Sequence, residues 1–74
     1  MKYPTENQIS KRIGKNVFAL RKAHNISQSQ LCCDIEIDVS TLSRLERGIL
    51  NVTLTILYKI AAYFKVDIKD LFIE

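Results

Sequence analysis

The sequence predicts an all-α fold, a compact domain of five short helices, and three observations carry that prediction. Apolar residues recur at intervals of three and four through most of the chain, the period of a helix face rather than of a strand. Ser27, Asp38, Thr53 and Asp67 stand before successive apolar runs as candidate caps, and Asn25 and Gly48 stand where runs stop. Between Ile35 and Ile37 the period breaks inside the stretch Ser27 to Gly48, as it does when one short helix ends and another starts at an angle. Residues 1–8 read as a loose N-terminal arm holding the only proline, Pro4, and residues 9–74 as one domain.

The first helix is expected from Ile9 to His24, with Ile9, Ile13, Val17 and Leu20 on its inner face and Asn25 as its stop. Ser27 caps the second, and Gln30 three residues on completes an S-x-x-Q capping box. Leu31 and Ile35 are its core positions. Asp38 is placed to cap the third helix, expected from Val39 to Arg47, with Leu42 and Leu45 turned inward and Gly48 ending it. Thr53 caps a fourth helix from Leu54 to Lys65, in which Leu54, Leu57, Ile60, Ala61 and Phe64 form one core stripe. Asp67 marks a final short helix whose Leu71 and Phe72 pack back. A second apolar set remains: Ile56, Tyr58 and Tyr63, with Ile49 and Leu50 in the preceding loop. Apolar side chains at solvent positions mark a partner surface, and a homodimer interface is the expectation here.

Composition narrows the function classes. A chain of 74 residues, 47% hydrophobic with a mean hydropathy of +0.01, builds a marginal core that dimerisation would help. It has no apolar run of membrane-spanning length and no signal-peptide pattern, so a cytoplasmic protein without membrane contact is expected. The net charge is +3, unevenly spread: Lys2, Lys11, Arg12, Lys15, Arg21 and Lys22 face the single acid Glu6 within residues 1–33. A basic half of this kind suits a polyanionic duplex. With one histidine, no His-Glu-x-x-His and no glycine-rich phosphate loop, catalysis is not expected. Cys32 and Cys33 point about 100° apart on a helix and cannot readily pair. With the lone His24 they do not make a metal set, so no metal, cofactor or small-molecule ligand is expected. Cys32 reads as a small core residue and Cys33 as partly exposed.

With Leu42 and Leu45 inward, the third helix leaves Val39, Ser40, Ser43, Arg44 and Arg47 outside. A helix fits the DNA major groove, arginine can donate twice to guanine O6 and N7, serine bonds several base edges, and valine can touch a thymine methyl. Val39, Ser40, Ser43 and Arg44 are therefore the candidate base readers.

The run Ile26-Ser27-Gln28, Leu31, a cap at Asp38 and Leu45-Glu46-Arg47-Gly48 resembles the helix-turn-helix of the lambdoid-repressor-like family, the Cro/C1 or XRE type. The likeness extends from Ile13 to Phe72. It implies a lambda-repressor-like DNA-binding domain, with Ser27, Gln28, Thr41, Arg47 and Asn51 on DNA phosphates as their counterparts are. It also implies an Arg21–Glu46 ion pair that is structural. Three positions depart from the family pattern: Glu36 where a turn glycine is usual, Cys32 in place of a small alanine, and Val52 in place of a proline. Glu36 implies strain if the turn needs a left-handed residue.

The function this implies is a sequence-specific transcriptional regulator that binds an inverted-repeat operator in double-stranded DNA as a homodimer. Phage-type repressors and restriction-modification controller proteins are both compatible with it. The competing class is an antitoxin or protein-interaction module using the same helices, kept open by Asp34, Glu36 and Asp38 beside the reading helix.

Overall fold

A computed structural model describes residues 3–49 and 52–74. Four α-helices follow one another, α1 Glu6–Ala23, α2 Gln28–Ile35, α3 Val39–Glu46 and α4 Leu54–Phe64, closed by a 3-10 turn at Ile68–Leu71. No strand occurs among the described residues. The last element, expected as a short fifth helix capped by Asp67, is a single 3-10 turn with Asp67 at its N-cap. Its Asp70 N–H donates to the Asp67 carbonyl at 2.9 Å and its Phe72 N–H to Lys69 at 3.0 Å, the i to i−3 pattern of the tighter turn.

Local chemistry explains where each helix begins and ends. α1 starts three residues before the expected Ile9, because Thr5 and Gln8 cap it reciprocally. Thr5 Oγ1 accepts from Gln8 N–H at 3.1 Å, and Gln8 Oε1 accepts from Thr5 N–H at 2.9 Å. Residues 6–8 of the expected arm therefore belong to the helix. The far end turns through Asn25 at φ 56°, which brings Ile26 N–H to the Arg21 carbonyl at 3.0 Å.

Ser27 Oγ accepts from Gln30 N–H at 3.0 Å and caps α2. The other half of the expected capping box is missing, since Gln30 Nε2 donates to both Asp34 carboxylate oxygens at 3.0 Å instead of reaching back. α2 ends at Glu36, which takes the left-handed conformation at φ 61° and ψ 54°. A side chain there costs about 1–2 kcal/mol that glycine avoids. Lys59 Nζ donates to the Ile35 carbonyl at 3.2 Å and caps the same helix end from α4.

Asp38 does occupy the N-cap of α3 with extended backbone, yet its carboxylate makes no capping bond, contrary to expectation. α3 closes one residue early, at Glu46, with Arg47 as C-cap. Gly48 at φ 75° then sends its N–H to Leu45 and the next N–H, of Ile49, to Arg44, at 3.0 and 3.1 Å. Thr53 Oγ1 caps α4 from Ile56 N–H at 3.3 Å. Leu54, expected in the core, stands 65% exposed at the first helical position.

The core joins all five elements. Ile13 and Val17 of α1 meet Leu31, Cys32 and Ile35 of α2, Leu42 and Leu45 of α3, and Leu57, Ile60, Ala61 and Phe64 of α4, with Leu71 closing the base. α1 packs on α3 and the 3-10 turn, α2 on α3, and α4 on the turn and α2. Gly14 makes the α1–α3 approach possible: a Cβ there would stand 2.4 Å from the Leu45 carbonyl oxygen and 2.7 Å from that of Glu46. Asn16 fastens the carboxyl-terminal segment to α1, its Nδ2 donating to the carbonyls of Leu71 and Ile73 at 2.9 and 2.7 Å.

Candidate nucleic-acid interface

α2 and α3 are joined by residues 36–38, and the left-handed Glu36 sets the angle between them. The pair shares one apolar seam of Leu31, Cys32, Ile35, Leu42 and Leu45, all buried. That seam leaves the opposite side of α3 to solvent. Val39, Ser40 and Arg44 are exposed there and Ser43 is half-buried, so the four candidate base readers lie on or beside one outward face. Among the described residues neither Arg44 nor Arg47 is held in an ion pair.

Beneath that face lies a buried polar network. Arg21 is 6% exposed, and its Nε and Nη2 donate to Glu46 Oε2 and Oε1 at 2.7 and 2.9 Å. Its Nη1 donates to the Ile26 carbonyl at 3.0 Å, and Gln28 Nε2 donates to Glu46 Oε1 at 3.1 Å. The Glu46 carboxylate therefore ties α1, α2 and α3 together, and Arg21 adds the loop after α1. The bond to Glu46 holds the Arg21 guanidinium above its ordinary pKa against the burial that opposes charge. Cys32 abuts this network: burial first, and then Glu46 and Asp38, push its thiol up, and its Sγ lies 3.5 Å from the Asp38 carbonyl. Cys33 is exposed.

The residues the resemblance assigns to phosphates are spread around the two helices. Ser27 and Arg47 are exposed, while Thr41 is half-buried. Gln28 is half-buried too, and one of its amide hydrogens is engaged by Glu46, a role in the framework that its polarity alone did not signal. Arg21, Lys22, Asn25, Ser27, Gln28 and Ser29 line an open polar hollow at the amino end of α2. Free N–H groups and a basic rim at such a helix end favour an anion. Asn51 lies outside the described residues.

The expected dimer patch divides. Ile49 and Tyr58 stand 60% and 59% exposed, whereas Ile56 and Tyr63 are half-buried against the core. The Tyr63 ring meets Phe64 edge-on at 5.1 Å and its hydroxyl donates to Asp34 Oδ2 at 2.6 Å, so both ends are already used within the chain. Leu50 lies outside the described residues. Leu54, counted for the core from sequence, joins Tyr58 one turn away on the exposed side. Further contacts that escaped sequence reading include the Thr5–Gln8 cap, Lys59 on Ile35, Asn16 on Leu71, and an ion pair between Arg12 and Glu74. Only the first had a local signal, the spacing Thr-x-x-Gln.

A short helix packed at an angle on a second, with Val39, Ser40 and Arg44 exposed on its outer face, defines a helix-turn-helix domain. The chain belongs to the HTH_3 helix-turn-helix family, of the XRE or Cro/C1 type, whose model matches residues 17–71. This is a class of DNA-binding transcription regulators. The chain is 34% identical over 53 residues to an uncharacterised HTH-type transcriptional regulator of Methanocaldococcus jannaschii, covering 72% of this chain and 80% of that protein. Among solved structures it is similar to the restriction-modification controller protein C.AhdI of Aeromonas hydrophila, with a TM-score of 0.80 and 30% identity over 85% of this chain and 96% of that one. It is also similar to the hypothetical transcription factor NHTF from Neisseria, with a TM-score of 0.83 and 25% identity over 99% and 84% of the two chains. No helix among the described residues is long and apolar enough to cross a membrane.

Proposed function

We propose that this DNA-binding regulator reads an inverted-repeat operator as a homodimer, with α3 in the major groove of each half-site. The observation that carries this reading is the outward face of α3: Val39, Ser40 and Arg44 exposed, Ser43 beside them, and Arg44 free of any ion pair among the described residues. Arg44 donates to guanine, the serines to base edges, and Val39 packs on a thymine methyl. Ser27, Gln28, Thr41, Arg47 and Asn51 hold phosphates on either side and fix the register. Arg21 and Glu46 keep the reading helix at its angle without touching DNA.

Dimerisation uses the exposed side of α4 and the loop before it, Ile49, Leu50, Leu54 and Tyr58, with Ile56 and Tyr63 at its inner edge. Two copies related by a two-fold axis place their reading helices about 34 Å apart. The monomer–dimer equilibrium then couples operator occupancy to protein concentration by mass action, as suits a controller protein. An antitoxin or interaction module would cover Arg44 with acidic groups; an exposed Arg44 that no acid among the described residues pairs favours DNA instead.

Selection of bound duplexes from a random pool at fixed salt tests the proposal. Enrichment of an inverted repeat with half-sites about one helical turn apart is the expected result. A pool that stays random overturns the reading, and enrichment of a lone half-site overturns the dimer.

A further inference from the structure

The outer face of α1 carries a stripe that the reading helix does not account for. Lys11, Lys15, Phe18 and Lys22 follow one another at i, i+4, i+7 and i+11, so they share one side of the helix, and all four are exposed. No acid stands among them, and among the described residues none of the three lysines is held in an ion pair. Glu74, which lines the same cleft as Lys11 and Lys15, is taken by Arg12. Phe18 is 45% exposed, an unusual place for a phenyl ring, and two cations crowd it: Lys22 Nζ lies 5.3 Å from the ring centre and Arg21 Cζ 5.4 Å.

Both ends of the stripe abut the proposed interface. Lys11 packs directly on Gly48, the residue after the C-cap of α3, with its Cα only 2.9 Å from where a Cβ of Gly48 would stand. Lys22 lines the hollow at the amino end of α2 together with Ser27 and Gln28. The stripe therefore runs about 16 Å along α1, from the end of the reading helix to the phosphate-facing start of α2. We infer that Lys11, Lys15 and Lys22 form a second, sequence-independent contact with the DNA backbone, and that Phe18 is a positioning residue that holds Lys22 toward it. This rests on the proposed DNA-binding reading and extends its footprint beyond the helix-turn-helix. The chemistry recognised is a row of phosphates, for which three unneutralised ammonium groups in line are suited.

The test compares the salt dependence of binding to the selected duplex and to a scrambled one. Each phosphate contact contributes about 0.9 to the slope of log affinity against log salt. The triple variant Lys11→Gln, Lys15→Gln, Lys22→Gln is expected to lose about 2.7 of that slope on both duplexes, a roughly 40-fold smaller fall in affinity between about 50 and 200 mM salt, while keeping the ratio between the two. Lys→Arg at the same three positions should restore the slope, which separates lost charge from lost folding. Phe18→Leu should lower the slope by less than one contact. An unchanged slope in the triple variant overturns the inference and points to an acidic protein surface as the occupant of the stripe. A wild-type protein that binds neither duplex overturns the underlying DNA-binding reading instead.

Discussion

Glu46→Ala is the sharpest test of how α3 is held. It removes two charge-assisted bonds from Arg21, at 2.7 and 2.9 Å, and one from Gln28 at 3.1 Å. The Arg21 side chain is 7% exposed and would keep a single bond, to the Ile26 carbonyl. A buried charge stripped of its partner costs about 3–5 kcal/mol. A domain of 74 residues has roughly 4–11 kcal/mol in all, so the variant should sit close to unfolding at ambient temperature. Thermal denaturation followed by circular dichroism should show a drop in midpoint of at least about 12 °C. The double variant Arg21→Met, Glu46→Leu removes both desolvation penalties and should recover to within about 1.5 kcal/mol of wild type. A loss below about 1 kcal/mol for Glu46→Ala alone would contradict the buried pair, because Arg21 would then have found water or another acceptor.

Gly14→Ala should destabilise by about 1–3 kcal/mol in a urea titration, since its methyl meets backbone carbonyls of α3 that no side-chain rotation can move aside; unchanged stability would mean α1 and α3 can separate freely. Glu36→Gly should stabilise by up to about 1 kcal/mol, the relief of the left-handed strain exceeding the added unfolded-state entropy; a loss in the same titration would show that the glutamate side chain contributes something its geometry does not reveal. The Asp34 carboxyl is held below its ordinary range by the Tyr63 hydroxyl first and Gln30 second, so its contribution is present above the unfolded value and lost as acid titrates the folded form. The same bond raises the Tyr63 pKa, so that contribution is lost again as pH climbs through the phenol's folded value. Wild type and Tyr63→Phe should therefore differ most at neutral pH and converge at both extremes, and a gap that stays constant across the range would contradict the bond.

The helix-turn-helix was legible because its signals are local. Ser27 and Thr53 announce helix starts, Asn25 and Gly48 announce stops, and the apolar spacing names Leu31, Ile35, Leu42 and Leu45 as core. Where the reading failed, a competing partner was available. Gln30 could reach Asp34 on the next turn, so the capping box stayed half-made. Asp38 sat at the right backbone position but made no capping bond. Leu54 fits the apolar period of α4 but precedes the point where that helix meets the core. Tyr63 looked like surface because nothing in sequence places Asp34, 29 residues earlier, within 2.6 Å of its hydroxyl. Long-range contacts of this type, including Lys59 on Ile35 and Asn16 on Leu71, depend on how the helices cross, which periodicity does not specify.

Arg44 is where the account of function is most exposed to measurement. The Arg44→Ala variant, taken through the same duplex selection as wild type at the same salt, should lose about 1–3 kcal/mol on the preferred site and relax its preference at one base pair in each half-site, with stability unchanged. Selection of the same sequence with undiminished preference would contradict the claim that α3 reads bases through its outward face.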